Sequence, residues 1–205
     1  MSEAEERFFA EVAARNLVRP SVRAIIVHDD RVLVQRPAEA TPASNYAFIG
    51  GEYEIGDTIE SRLRQELEEE TTAQLVSWRY LFVVENLFLH AGHRIHALEH
   101  YVLATIDNPE VESREGHLVQ EWLPLSTLAT VNLRPHLVRD AIVEGRHESV
   151  RHLIINDWPS RADDYVGAAA TDDQVGEPRA GNERIVGVAL QARSRTTLQG
   201  GRDRR

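Results

Sequence analysis

The sequence predicts an α/β protein, a mixed β-sheet with helices on both faces. Three observations predict it. Apolar runs and helical patterns follow one another in the order β-β-β-α-β-β-β-α. The helix after a paired glycine carries one apolar stripe, Ile59, Leu63 and Leu67, at i, i+4 and i+8. The chain has 205 residues, 42% hydrophobic and 27% charged, which is ordinary for a globular domain with a sizeable core.

The elements come in a readable order. Residues 3–17 have the spacing of an amphipathic helix, with Phe8 and Val12, and Phe9 beside them, on its apolar side. Pro20 closes this first unit, so residues 1–20 are read as an N-terminal helix. Ser21 to Gln35 predicts a β-hairpin turning at His28-Asp29-Asp30. Tyr46 to Ile49 predicts a short strand, and Asp57 or Thr58 caps a helix running to about Thr71. Strands are expected at Leu75–Val84 and Arg94–Ile106, with an Asn108-Pro109 turn after the second. Glu121 to Leu125 is a short strand, Arg134 to Glu144 a helix with Leu137, Val138, Ala141 and Ile142 inward, and 151–158 a last strand. One domain is therefore expected over 21–158. Residues 159–205, rich in Ala, Gly, Asp, Arg, Thr and Gln, are expected to form a flexible tail.

Composition excludes several functions. Cysteine is absent, so there is no disulfide framework, thiolate nucleophile or cysteine-based zinc site. Lysine is absent too: all 23 basic residues are arginine, which removes Schiff-base and P-loop lysine chemistry. Arginine still grips phosphate bidentately. No apolar run is long enough to span a membrane, and the acidic N-terminus lacks the order of a signal peptide. A cytoplasmic location is the expectation. The net charge of −10 argues against non-specific binding to nucleic acid. An anionic substrate would need a local patch or bridging metal ions.

The chemistry concentrates in GGEYEIGDTIESRLRQELEEETTA, from Gly50 to Ala73. Glu66, Glu69 and Glu70 lie at i, i+3 and i+4, so their carboxylates project side by side. Like charges that close repel, and the pattern makes sense around a divalent cation. Mg²⁺ takes hard oxygen ligands and keeps waters that a phosphate can replace. Acidic runs on helices are commonly solvated faces; the glycine frame in front of this one sets it apart. Glu68 lies further round the helix and is expected in solvent.

This frame resembles the Nudix box: Gly, five residues, Glu, seven residues, then Arg-Glu-U-x-Glu-Glu-x-Gly-U, where U is bulky and apolar. Gly51, Glu66, Leu67, Glu69 and Glu70 match. Asp57 stands for the first glutamate, Gln65 for the arginine, Thr72 for the last glycine and Ala73 for the final apolar residue, so the box is degenerate. The later stretch REGHLVQEWLPLSTL resembles the acidic-Gly … Trp-x-Pro-Leu segment of MutT-type members, and the likeness covers about residues 21–155. It implies an α/β/α sandwich and a metal-dependent hydrolase that splits a nucleoside diphosphate linked to another group. It also implies Glu66, Glu69, Glu70 and the Gly50 carbonyl as ligands of Mg²⁺ or Mn²⁺. Among these, Glu66 and Glu69 are also expected to act catalytically.

The usual arginine at position 65 pairs with a box glutamate, a role glutamine fills without charge. Arg62, four residues before Glu66 on roughly the same face, is a candidate replacement; the plain alternative is an exposed arginine. Thr72 cannot easily adopt the left-handed turn a glycine gives there. The helix is expected to end by a turn that avoids it. Glu115 is the leading candidate for the catalytic base, with Glu99 behind it. Arg36, Gly51 and Tyr46 are expected to contact substrate, and Arg23 and Arg94 are further candidates. Histidines 90, 93, 96 and 100 have loose spacing for zinc and read better as a polar hairpin.

The expected partner is a small nucleotide-type substrate, a nucleoside triphosphate or nucleotide-sugar. The proline after the box typical of ADP-ribose pyrophosphatases is missing between residues 74 and 108. Because Nudix domains are often homodimers, the N-terminal helix is a candidate interface. The departures at Gln65 and Thr72 motivate a second reading, a Nudix-fold nucleotide-binding module with weak or no turnover.

Overall fold

Two aspartates start the sheet. In the hairpin of β1 (Arg19–His28) and β2 (Arg31–Pro37), Asp29 and Asp30 both have positive φ, 46° and 56°. This is the type I′ turn that suits the twist of paired strands. Only Val27–Val32 and His28–Arg31 then pair across the hairpin. Further on, segment 46–52 stands between the strands: Ala47 bridges Gln35, while Ile49 and Glu52 bridge Ala24 and Ser21. The strand expected at Tyr46–Ile49 is corrected to these isolated bridges, because a segment that changes partners cannot form a continuous ladder with either one. The structure is a computed structural model that describes residues 3–41, 44–90, 92–158 and 182–186.

β3 (Leu75–His90) and β4 (His93–Ile106) form a long antiparallel hairpin. β3 runs past its expected end at Val84 because β4 offers partners as far as His93. β5 (Leu118–Pro124) pairs antiparallel with β2, and β4 lies parallel to β1. β6 (His152–Asn156) lies parallel to β3, and β7 (Asn182–Val186) is antiparallel to β6. The described sheet is mixed, as predicted, in the order β5-β2-β1-β4-β3-β6-β7. β7 falls inside the expected tail; the rest of 159–205 lies outside the described residues.

Alternation along the strands sends side chains to two cores. α2 (Ile59–Glu70) lays Leu63 and Leu67 on Val22, Ala24, Ile26, Leu33 and Val102. α3 (His136–Val143) lays Val138, Ala141 and Ile142 over the other face, with Ile25, Val34, Phe48, Phe82 and Tyr101. The result is an α/β/α sandwich. α3 starts after its expected Arg134 because Pro135 occupies its N-cap. α1 (Glu3–Ala14) buries Val12, leaves Phe8 partly exposed and stacks Phe9 on His90. β1 begins at Arg19, just before the expected boundary. No described helix is long and apolar enough to cross a membrane.

Candidate metal and active site

The site is built where segment 46–52 meets α2. Thr58 caps the helix in a reciprocal box with Ser61: Ser61 N–H donates to Thr58 Oγ1 at 3.1 Å, and Thr58 N–H donates to Ser61 Oγ at 2.8 Å. Asp57 closes the preceding loop by accepting from Glu54 N–H at 2.8 Å. The glycine pair is needed for close approach. A Cβ on Gly51 would collide with the Glu66 carboxylate. A Cβ on Gly50, whose φ is +133°, would collide with the Val22 carbonyl.

Each box carboxylate has a different environment. Glu66 is buried, accepts a hydrogen bond from Arg62 Nη2 and lies against Gly51. Burial raises its pKa, against the pull of Arg62 and Arg23. Glu69 is exposed; Gln65 Nε2 donates to its Oε1 at 2.8 Å, and Arg62 Nη2 stands 4.0 Å from its Oε2. Glu70 accepts from Gln35 Nε2 at 3.4 Å, while its Oε2 is buried without a partner among the described residues. Burial, then the charges of Glu66 and Glu115, push Glu70 up to about 7. Glu68 is exposed, as expected.

The departures from the box have local substitutes. Arg62 supplies the cation that Gln65 lacks, and Gln65 still holds Glu69. At the helix end Thr71 is extended, φ −138°, so no left-handed residue is required at position 72. Thr72 is used instead: its N–H donates to Glu112 O and its hydroxyl accepts from Glu112 N–H, both at 3.0 Å. Arg114 Nη1 donates to Glu68 O at 2.6 Å, and Arg114 N–H donates to Glu70 O at 3.0 Å. A cation at a helix C-terminus is favourable. This docking carries Glu115 close enough for its charge to act on Glu70, with His117 Nε2 3.2 Å from its carboxylate.

The donor set fits a divalent ion held partly by water and substrate. Among the described residues no three acidic or imidazole groups converge as a finished cage. Mg²⁺ commonly takes only one or two carboxylates, plus waters and phosphate oxygens. The unpartnered Glu70 Oε2 beside Glu66 is such a donor. The Gly50 carbonyl is reached by Arg23 Nη1, whose charge also acts on Glu66, Glu70 and buried Glu99. Burial pushes Glu99 up, and Tyr101 donates to it at 3.3 Å.

A cleft of about 650 Å³ opens here, lined by Gly50, Gly51, Arg23, Arg62, Glu66 and Glu70, with Gln35, Tyr53 and residues of the N-terminal segment. The structure does not bring Arg36 and Tyr46 into it. Arg36 Nε donates to Glu121 at 3.0 Å and the Tyr46 hydroxyl donates to the same oxygen at 3.2 Å. Alternation along β2 explains Arg36: Gln35 faces Glu70, so its neighbour Arg36 faces away. The histidines also part company, His90 stacking on Phe9, His96 meeting Trp158, and His100 meeting Tyr53 and Tyr80. Sequence reasoning missed Gln35 and Arg114. Their only signal was strand alternation and a basic residue near a helix end.

A glycine loop leading into a carboxylate-bearing helix, set in a mixed-sheet α/β/α sandwich, defines a known class of fold. The sequence matches the NUDIX domain over residues 17–142, and the chain belongs to that family. Solved structures agree in fold. A MutT protein from Bacillus halodurans is 17% identical, with a TM-score of 0.54 over 69% of this chain and 92% of its own. A NUDIX hydrolase from Nitrosomonas europaea is 18% identical, TM-score 0.53, over 66% and 93%. A bifunctional NMN adenylyltransferase/ADP ribose pyrophosphatase from Francisella tularensis is 18% identical, TM-score 0.52, over 70% of this chain and 47% of its own. No curated protein matches the sequence.

Proposed function

We propose that this protein is a divalent-metal-dependent hydrolase that cleaves a diphosphate bond in a nucleoside diphosphate-linked substrate, a nucleoside triphosphate or nucleotide-sugar. Family membership supports the reaction class. The observation that carries the reading is Glu70, whose Oε2 is buried and unpartnered beside Glu66 among the described residues. Glu66, Glu69, Glu70 and the Gly50 carbonyl would hold Mg²⁺ or Mn²⁺. When bound, the ion supplies Lewis-acid polarisation of a phosphoryl oxygen. Arg62 and Gln65 fix the carboxylates, and Gly51 keeps the floor of the cleft open. Arg23, the cation acting on both Glu66 and Glu70, binds substrate phosphate oxygens. Glu115 takes the proton from the attacking water onto its carboxylate. Arg36 and Tyr46 are read as partners of Glu121 rather than of substrate.

The alternative, a nucleotide-binding module with weak turnover, rested on Gln65 and Thr72. The pairing of Arg62 with Glu66 and the extended cap at Thr71 weaken that motive. The test is phosphate or nucleotide release from a panel of nucleoside di- and triphosphates and nucleotide-sugars with Mg²⁺ and Mn²⁺. Metal-dependent turnover that is lost in Glu69→Gln and Glu70→Gln supports the hydrolase. Binding of nucleotide without turnover anywhere in the panel would favour the module.

A further inference from the structure

The cleft has a second wall, part of which lies outside the family domain. The NUDIX match begins at residue 17, yet Phe8 and Arg15 line the same cleft as Glu66 and Glu70. Arg15 Nη2 donates to Glu52 Oε1, and Arg19 Nε donates to Glu52 Oε2 at 2.8 Å. Two guanidiniums thus share one carboxylate. The three groups therefore keep one net positive charge. Arg19 spends only Nε on Glu52; its terminal amines make no hydrogen bond among the described residues. Its guanidinium lies 5.0 Å from the Phe8 ring centre and its side chain is only 13% exposed, so it is held in place before any ligand arrives. Glu52 directly follows Gly51, the glycine that touches the Glu66 carboxylate.

We propose that Arg15, Arg19 and Glu52 form an anion subsite, completed by the N-terminal segment, that takes a phosphoryl group of the substrate remote from the bond being cleaved. Two guanidiniums steadied by one carboxylate keep donors free for a second anion, and the planar fork fits phosphate oxygens. A chain of net charge −10 repels polyanions, so a local cationic pair at the mouth decides which ones enter. The subsite favours substrates with a charged far end over those ending in a neutral sugar. This rests on the hydrolase reading for the identity of the bound molecule.

The test compares a nucleoside triphosphate with the nucleoside diphosphate-sugar of the same base, in wild type, Arg15→Gln, Arg15→Lys and Arg19→Gln. The ratio of kcat/KM, triphosphate over sugar, is expected to fall roughly ten- to hundredfold in both glutamine variants, through KM, as for loss of a charged hydrogen bond. Arg15→Lys should keep part of the preference. Titration with inorganic tripolyphosphate and pyrophosphate, both with Mg²⁺, reads the subsite without turnover; wild type should prefer tripolyphosphate and Arg15→Gln should lose that preference. An unchanged ratio, with lower thermal stability in the variants, would overturn the proposal and leave a staple for the helix. If wild type turns over no member of the nucleotide panel, the hydrolase reading fails, while the titration still decides the subsite.

Discussion

Arg62 sits one helical turn before Glu66 and donates to its carboxylate, with both side chains at most 10% exposed. Removing one partner of a buried pair strands the other charge. Arg62→Ala is therefore expected to cost about 3 kcal/mol in urea denaturation and to weaken Mn²⁺ binding. A loss within about 0.5 kcal/mol, the range of surface substitutions, would mean the pair is not buried in solution. Glu70 gives a pH signature. Its pKa rises from 4.5 to about 7 in the folded protein, so between those values the folded state holds a proton that the unfolded chain has lost. Stability of the metal-free protein should then fall as pH rises through that window, by about 3 kcal/mol at most, and most of this should vanish in Glu70→Gln. A metal held by Glu70 as proposed would take the deprotonated carboxylate, so Mg²⁺ affinity should climb through pH 7 with proton release, read by calorimetry in buffers of differing ionisation enthalpy.

At the scale of elements, the loop and the helix make separable demands. The Cβ of Gly51→Ala would meet a side-chain carboxylate, which can move; the Cβ of Gly50→Ala would meet backbone at a positive φ, which cannot. Gly51→Ala should fold and lose metal affinity, whereas Gly50→Ala should lose about 1–3 kcal/mol of stability. Equal thermal melting of the two variants would contradict this. The C-terminus of α2 carries the opposite lesson. Thr72→Gly restores the family residue, yet it should destabilise by about 1 kcal/mol. It deletes the hydroxyl that receives Glu112 N–H and adds chain entropy. A gain in stability would show that position 72 is strained after all.

For the molecule as a whole, the sheet and its two cores are expected to fold without a metal, because Leu63, Leu67, Phe82 and Tyr101 are buried among apolar neighbours and not around the site. Chelation should leave the circular dichroism spectrum unchanged. Mg²⁺ at a hundredfold excess over its Kd should add about 2.7 kcal/mol of stability, since only the folded state assembles the carboxylates. An unfolded protein in chelator would refute this.

The amino-acid order alone determined the parts that depend on neighbours along the chain. The apolar stripe of α2, the shared face of Glu66, Glu69 and Glu70, the hairpin turn at Asp29-Asp30 and the glycine frame all follow from helix and strand periods and from φ preferences. Arg62 was legible for the same reason, lying one helical turn from Glu66. Only the tertiary structure decided what lies across gaps in sequence. It set Gln35 against Glu70, brought Arg114 to the end of α2, tied Arg36 and Tyr46 to Glu121, and joined Arg15 and Arg19 to Glu52. It also replaced an expected strand at Tyr46–Ile49 by bridges to two different strands. Contacts of that kind depend on which strands pair and which face each residue meets, and no local period encodes them.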